Sequence, residues 1–155
     1  NIIVMKIRTT ESDREKRELD QLLWEVLWGP LNLPRDVRRS FRLDKPEMEL
    51  VALDRRKVIG GLVAYQLAEH EFEIRHLAVH ADYQGRSVGR LLIEGLIKEI
   101  SQDAVVWIQT YARNISVGFF TRLGFVPEGG FLEHEEFSRH GIKFQKMWLV
   151  VPPIA

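Results

Sequence analysis

The chain has 155 residues, of which 45% are hydrophobic, so it is long enough for one domain with a sizeable core and too short for two. Its 22 basic and 22 acidic residues balance, which excludes the strongly basic surface typical of nucleic-acid binding and the acidic excess of solvating segments. The absence of cysteine excludes disulfides and thiolate chemistry, and no apolar run reaches the roughly 20 residues that span a bilayer. We therefore predict one cytoplasmic domain over residues 5–151, with residues 1–4 being an expression remnant or an N-terminal extension.

The first half of the chain predicts a strand, two helices and three more strands. Residues 4–10 alternate as a strand does, and residues 13–28 carry leucine and valine at helical spacing until a Gly-Pro pair stops the helix. A shorter helix is expected over residues 33–41. Residues 48–68 then form two strands joined by a short turn, and residues 71–79 form a third. These three strands predict an antiparallel meander.

The second half alternates helices and strands. Residues 88–100 place leucine and isoleucine on one helical face, and residues 104–110 form the continuous apolar run typical of a buried parallel strand. A helix over residues 115–123 ends at a glycine, and strands follow at "FVPE" and over residues 142–151. The intervening residues 129–141 are polar and flanked by glycine, which predicts a mobile loop. The order of elements indicates a mixed α/β domain.

The segment Gln84-Gly85-Arg86-Ser87-Val88-Gly89 joins a predicted strand to the start of an amphipathic helix. The first N–H groups of a helix have no partner within it, and the helix dipole adds positive potential, so this junction binds anions without net positive charge. Gly85 and Gly89 would let the backbone reach positive φ and let a ligand approach, while Arg86 and Arg90 would contact phosphate. The alternative is an ordinary strand-to-helix turn that contains two glycines.

Two stretches resemble motifs of the GNAT acyltransferases. The sequence LAVHADYQGRSVGRLL, residues 77–92, is similar to motif A, a hydrophobic strand followed by [RQ]-x-x-G-x-[GA] and an amphipathic helix. The sequence NISVGFFTRLGFVPEGG, residues 114–130, is similar to motif B, a short helix ending in Phe-Tyr before x-x-x-Gly-Phe. The resemblance covers residues 5–151 and implies the GNAT fold: one mixed α/β domain whose central, mostly antiparallel sheet splays between strands 4 and 5, flanked by about four helices.

The resemblance also implies a site for acetyl-CoA between strand 4 and a fifth strand at residues 105–110. The pantetheine would pair with the backbone of strand 4, as an added strand does, at Leu77, Ala78 and Val79. The pyrophosphate would lie on the backbone amides of the loop and helix start, which are those of Gln84, Gly85, Arg86, Ser87, Val88, Gly89 and Arg90. Asn114, near the start of the motif B helix, would either cap that helix or contact the pantetheine or adenosine end.

Two positions depart from the family pattern. Ser87 stands where motif A has its first glycine, which keeps the amide donor and adds a hydroxyl but reduces backbone freedom. Phe120 stands where many relatives carry the tyrosine that protonates the departing CoA thiolate, so that acid is missing. Ser116, Thr121 and Tyr111 are weak substitutes close in sequence. The thiolate, with a pKa near ~8.5, can also leave with help from water or backbone.

A base is needed as well, because an amine must be neutral to attack a thioester. Glu73 is the candidate, since it matches the catalytic glutamate of some relatives. Strand alternation puts Glu73 on one face with Arg75 and Val79, and His76 on the other. The alternative role of Glu73 is a solvent-facing partner of Arg75 or of a lysine. His76, which shares its face with apolar residues, is interpreted as a core histidine.

Five aromatic or histidine residues are candidates for the pocket that binds the acceptor. Trp24, Trp28 and Phe41 lie in the region that forms the acceptor side in relatives, and they either shape a pocket there or belong to the core. His134 and His140, in the polar loop, either line that pocket or are solvated.

These features predict an N-acetyltransferase that moves an acetyl group from acetyl-CoA to a primary amine by direct attack in a ternary complex, with no metal and no covalent enzyme intermediate. We expect a small-molecule amine rather than a protein as acceptor, and no nucleic-acid or membrane partner. Relatives often form homodimers, but the sequence does not fix the oligomeric state. One alternative, motivated by Phe120, is a non-catalytic acyl-CoA-binding or regulatory module. Another, motivated by Ser87, is a partner-binding domain without the cofactor.

Overall fold

A computed structural model describes residues 5–154, so the N-terminal remnant or extension expected at residues 1–4 lies outside the described residues. The described residues contain seven strands: β1 (Met5–Thr9), β2 (Glu47–Asp54), β3 (Lys57–Ala68), β4 (Glu71–Val79), β5 (Val106–Arg113), β6 (Val126–Pro127) and β7 (Phe144–Val151). They form one sheet in the order β1-β2-β3-β4-β5-β7-β6. Among these strands, β4 and β5 run parallel, while the other neighbouring pairs are antiparallel. The mixed, mostly antiparallel sheet confirms the predicted fold class.

Within residues 5–154, four α-helices flank this sheet: α1 (Asp13–Leu23), α2 (Val88–Ile100), α3 (Val117–Arg122) and α4 (Glu135–Ser138). Leu50 of β2 packs in the core beneath α2, whereas its neighbour Val51 packs in the core beneath α1. Because successive strand residues point to opposite faces, α1 and α2 cover opposite faces of the sheet. None of the helices in the described part of the chain has the length and apolar character needed to cross a bilayer.

The two helices predicted in the first half differ from the observed ones. Ser12 caps α1 by accepting a hydrogen bond from the Glu15 N–H at 3.2 Å. The predicted helix over residues 13–28 is α-helical only through α1 and continues as a π-helical turn at Trp24–Trp28. The helix predicted over residues 33–41 is shorter than expected. It is a 3₁₀ helix at Val37–Phe41, in which backbone hydrogen bonds such as that from the Arg39 N–H to the Asp36 carbonyl span three residues.

The segment predicted to be a mobile loop, residues 129–141, is anchored instead. It contains α4, whose Phe137 is only 5% exposed. The Phe137 ring lies 5.3 Å from that of Phe144 in β7 and 6.1 Å from that of Phe41. Leu132 also pairs with the Phe144 backbone. One buried aromatic side chain therefore joins this polar segment to the body of the domain.

Strand β4 contains a β-bulge at Arg75. His76 pairs with Val63 of β3 and Ile74 pairs with Ala64, so Arg75 is an extra residue without a partner of its own. An extra residue breaks the alternation of side chains between the two faces of a strand.

The bulge changes which β4 residues share a face. Phe72 and Val79 both pack against the core beneath α2, although strict alternation puts them on opposite faces. Ala78 packs in the core beneath α1. Glu73, the neighbour of Phe72, therefore lies on the α1 face together with His76. The predicted grouping of Glu73 with Val79 is wrong.

Strands β4 and β5 separate soon after they meet. They pair at four positions only, Glu71–Ile74 with Trp107–Thr110. At the last of these, the Thr110 hydroxyl donates a hydrogen bond to the Ile74 carbonyl oxygen at 3.0 Å. Both strands continue beyond this point without pairing to each other, which confirms the predicted splay and leaves a cleft between them.

Candidate functional site

The loop between β4 and α2 presents free backbone amides at one end of the cleft. Gly85 has φ of +78° and Ser87 has φ of +64°. The Leu91 N–H donates to the Ser87 carbonyl at 3.0 Å, so the N–H groups of the preceding helical turn have no partner inside α2. The Ser87 side chain makes no capping bond, and the first turn of α2 contains no acidic side chain. Within the described residues, these amides are therefore free to bind an anion.

The glycines of this loop have different roles. Gly85 adopts positive φ, as predicted, but Gly89 does not, because it lies inside α2. A β-carbon at Gly89 would lie 3.0 Å from the Phe119 ring of α3, so this glycine permits close packing of the two helices. The second left-handed residue is Ser87, which therefore has the backbone conformation that favours glycine.

Two cations lie beside the loop, stacked on the ring of Tyr83. The Arg86 guanidinium lies 5.6 Å from the centre of the Tyr83 ring, and the Lys57 ammonium lies 5.7 Å from it. The Tyr83 hydroxyl donates to Asp54 at 2.7 Å, and this hydrogen bond raises the pKa of Tyr83. Sequence reasoning missed Lys57, because the turn between β2 and β3 approaches the loop only through the fold of the sheet.

The backbone of β4 has an open edge in the cleft. Leu77, Ala78 and Val79 pair with β3 on one side. Among residues 5–154, no strand pairs with them on the side that faces β5. An extended ligand can bind such an edge as an added strand.

Glu73 lies where the cleft opens, and it is only 4% exposed. The Gln109 amide donates to its Oε1 at 2.7 Å, and the Arg75 guanidinium donates to its Oε2 at 3.1 Å. Arg75 is held in turn by its Nε, which donates to the Phe41 carbonyl at 3.0 Å. Glu73 is therefore a buried carboxylate and not the solvent-facing one that was the alternative. Gln109 was missed from the sequence, although it is a polar residue within an otherwise apolar run.

His76 and Trp28 form the wall of the site on the α1 face. His76 is 9% exposed, with its ring edge-on to that of Trp28 at 4.9 Å, and Trp28 is 3% exposed. Burial, together with the nearby charges of three arginines, lowers the pKa of His76 to about 3. His76 is therefore neutral at physiological pH and buried, as interpreted, and for Trp28 the burial favours the core alternative.

The position of the family tyrosine does not supply an acid. Phe120 is 5% exposed, and its ring packs at 5.1 Å from those of Phe119 and Phe125. The Thr121 hydroxyl donates to the Val117 carbonyl in the preceding turn of its own helix. Tyr111 is 36% exposed, two residues after Gln109 on the same face of β5.

Asn114 links the start of α3 to β7. Its side-chain oxygen accepts from the Lys143 N–H at 3.1 Å, and its own N–H donates to the Lys143 carbonyl at 2.9 Å. The helix that follows has no side-chain cap. The predicted cap at Asn114 is therefore wrong, because the oxygen that would form it is already bonded.

The region expected to bind the acceptor contains several segments that meet around Phe137. The Arg113 guanidinium lies 5.7 Å from the centre of the Phe137 ring and donates to the Leu27 carbonyl at 2.7 Å. His134 and His140 are both exposed. Sequence reasoning missed Arg113 and Phe137, whose only sequence signals are a basic residue shortly after a predicted strand and an aromatic residue within a polar stretch.

A protein-family model and several known proteins match this chain. A family model described as an acetyltransferase (GNAT) domain matches residues 30–151. The chain is 29% identical over 100 residues to the histone acetyltransferase GCN5 of Oryza sativa subsp. japonica, over 63% of this chain and 19% of that protein. The chain thus spans about a fifth of the length of this relative.

Solved structures show a similar fold. Tetrahymena GCN5 has a TM-score of 0.69 and 23% identity, with 97% of this chain and 98% of that one covered. An aminoglycoside 6′-N-acetyltransferase complexed with coenzyme A has a TM-score of 0.70 and 16% identity, again with 97% and 98% covered. At these identities the likeness shows the fold alone.

Proposed function

Because the chain belongs to the GNAT family of acetyltransferases, we propose that it moves an acetyl group from acetyl-CoA to a primary amine by direct attack in a ternary complex. The observation that carries this proposal is the continuity of the cleft. The open edge of β4 at Leu77–Val79 leads through a short loop to the free amides at the start of α2. An extended thiol arm and a pyrophosphate are joined in that same order in CoA.

The described residues fit acetyl-CoA as a co-substrate. The pantetheine arm would pair with the β4 edge, and the pyrophosphate would accept hydrogen bonds from the amides between Gln84 and Arg90. Arg86 and Lys57 would add positive charge beside it. Ser87 does not block this arrangement, because its backbone already has the left-handed conformation of the glycine it replaces.

In the proposed reaction, Glu73 accepts a proton from the attacking amine, directly or through a water. Each of its oxygens already accepts one hydrogen bond and has a further lone pair available. The new bond forms between the amine nitrogen and the acetyl carbon as the carbon–sulfur bond breaks, and the products are an amide and CoA. The side chain of Phe120 cannot protonate the leaving sulfur. A thiolate whose parent thiol has a pKa of about 8.5 is an acceptable leaving group near neutral pH, and water can protonate it.

We propose a small-molecule amine as the acceptor. The support for this is the contact between the rings of Phe137 and Phe41, whose centres lie 6.1 Å apart. This contact joins the segment after β6 to the segment after α1 across the proposed acceptor side, which favours a compact pocket over a long open groove. A peptide would need such a groove to bind in extended form.

Calorimetric titration with acetyl-CoA, followed by measurement of CoA release with a panel of small amines and peptides, tests the proposal. We expect acetyl-CoA binding and turnover of at least one small amine. Binding with no turnover of any acceptor would indicate the non-catalytic acyl-CoA-binding module. Absence of acetyl-CoA binding would overturn the proposal and favour a partner-binding domain without the cofactor.

A further inference from the structure

Arg113 is an unusual arginine in this structure. Five arginines in the described part of the chain are buried or partly buried: Arg8, Arg14, Arg38, Arg75 and Arg113. The first four each have a glutamate oxygen within 4.0 Å. Arg113 has no carboxylate partner among residues 5–154, and its guanidinium makes one hydrogen bond, from Nη2 to the Leu27 carbonyl at 2.7 Å.

The surroundings of Arg113 do not compensate its charge. The ring of Phe137 lies 5.7 Å from the guanidinium, and burial lowers the pKa of Arg113, with no neighbouring charge acting in the opposite direction. The Nε and Nη1 donors of Arg113 are not among the enclosed atoms that lack a partner. They therefore retain contact with solvent and are available to an acceptor of hydrogen bonds.

Arg113 lies on the part of β5 beyond the point where β4 and β5 separate. It is on the same face of β5 as Gln109, the residue that hydrogen-bonds Glu73, because the two are four positions apart in one strand. The charge of Arg113 contributes to the lowered pKa of His76 on the splayed part of β4. One face of the cleft thus carries the proposed base at the point where β4 and β5 separate, and an uncompensated guanidinium near the end of β5.

We propose that the acceptor is an amine that also carries a carboxylate, which Arg113 binds while the amine is presented to Glu73. A guanidinium with free N–H groups in a partly desolvated site is suited to a carboxylate, which it can bind through two parallel hydrogen bonds. The same positive charge disfavours acceptors that carry several ammonium groups. This inference rests on the proposed acetyltransferase function.

Matched pairs of amines test the inference: amino acids and their carboxamides, each pair sharing one side chain. Turnover is compared at equal concentrations of neutral amine, because the carboxamide lowers the pKa of the amine. We expect kcat/KM for the amino acid to exceed that for its carboxamide by about ten- to hundredfold, the range for hydrogen bonds to a charged group. Equal kcat/KM for the members of every pair would overturn the inference.

Variants at Arg113 supply the second arm of the test. Arg113→Gln should remove the preference by raising KM for amino acids only, and Arg113→Lys, which keeps the charge, should restore part of it. Acetyl-CoA affinity should stay unchanged in both variants. Arg17→Gln, at an exposed arginine of α1, is the matched control and should keep the preference. Retention of the full preference in Arg113→Gln would also overturn the inference.

A binding measurement separates this inference from the proposed function. If no amine is acetylated, the proposed function fails, and the same preference is then measured by calorimetry with CoA present. N-acetyl amino acids that bind more tightly than N-acetyl amino amides, with the difference lost in Arg113→Gln, would support a carboxylate site. Equal binding would overturn it.

Discussion

The burial and hydrogen bonds of Glu73 determine which properties of the protein should change when this residue is replaced. The side chain is buried, and both oxygens accept hydrogen bonds, from Gln109 and Arg75. We expect Glu73→Gln to lower kcat by about 10²- to 10⁴-fold, the usual contribution of a general base. Acetyl-CoA affinity should not change, because Glu73 lies outside the β4 edge at Leu77–Val79 and the start of α2, where we propose that CoA binds.

The matched control for this variant is Glu71→Gln, at an exposed glutamate of the same strand, which should keep the parent rate. A Glu73→Gln enzyme whose rate and pH profile equal those of the parent would remove Glu73 from the mechanism.

His76 makes stability depend on pH. An unfolded histidine binds a proton near pH 6.5, but folded His76 does so only near pH 3, because it is buried. The unfolded chain therefore binds more protons than the folded one as pH falls below 6.5, and stability is lost. We expect a loss of about 2 to 3 kcal/mol between pH 7 and pH 4.5, at 1.36 kcal/mol per pKa unit.

Urea unfolding across this pH range measures the effect. Glu15, whose pKa is lowered to about 2 chiefly by its hydrogen bond from Arg8, contributes mainly below about pH 5, so most of the change in this window is assigned to His76. His76→Gln should flatten the profile, whereas His140→Gln, at an exposed histidine, should not. An unchanged profile in His76→Gln would contradict this assignment.

Ser87 carries backbone strain that glycine would remove. Its φ of +64° costs roughly 1–2 kcal/mol for a residue with a β-carbon. Glycine loses more conformational entropy on folding, and this cost of roughly 0.5–1 kcal/mol offsets part of the stability that Ser87→Gly gains. We expect Ser87→Gly to stabilise the fold by about 0.5–1 kcal/mol in urea unfolding, with acetyl-CoA affinity retained.

Ser87→Ala is the control, because it removes the hydroxyl and keeps the strain. Both variants should keep their affinity for acetyl-CoA, because we propose that backbone amides bind the phosphates; equal weakening in both would show that the Ser87 hydroxyl contributes. Destabilisation by Ser87→Gly would show that the strain argument is wrong.

At the element scale, the packing of α2 against α3 depends on Gly89. A β-carbon there would lie 3.0 Å from Phe119 Cζ, which is closer than ordinary contact and requires the ring to shift. We expect Gly89→Ala to move the first turn of α2 and to weaken acetyl-CoA binding severalfold by calorimetry. The double variant Gly89→Ala/Phe119→Leu should recover part of the loss, because a smaller side chain relieves the contact.

Gly118→Ala is the matched control for Gly89→Ala. It lies in α3, where a β-carbon would come no closer than 3.5 Å to another side chain. It should leave binding intact and stabilise the helix by up to about 1 kcal/mol, the difference in helix propensity. Equal effects of the two substitutions would argue against the specific contact with Phe119.

The β4 bulge shows why strand faces were only partly predictable. Strict alternation groups the residues before Arg75 correctly, and likewise those after it. Because Arg75 is an extra residue, however, Phe72 and Val79 lie on the same face and not on opposite faces. A bulge is fixed by pairing with β3 and by the tertiary contact of Arg75 with Phe41, neither of which is visible in the local sequence. Sequence reasoning therefore selected Glu73 but placed it on the wrong face.

At the scale of the whole molecule, the order of elements and the position of the cleft follow from local signals. The periodicity of α2, the apolar run of β5 and the glycine at the end of α3 are each encoded within a few residues. The acceptor side is not encoded locally, since Arg113, Phe137 and Leu27 meet only through packing of distant segments. This explains why the cofactor side was predicted in more detail than the acceptor side.

We propose that backbone amides of the β4–α2 loop bind the pyrophosphate of CoA while the edge of β4 binds its pantetheine arm. Amide NMR titrations with CoA, dephospho-CoA and pantetheine test it directly, since pantetheine alone lacks the pyrophosphate. We predict that all three ligands shift the amides of Leu77–Val79, and that only CoA and dephospho-CoA shift those between Gln84 and Arg90. If the amide signals between Gln84 and Arg90 do not shift with CoA, or shift equally with pantetheine, this binding mode is contradicted.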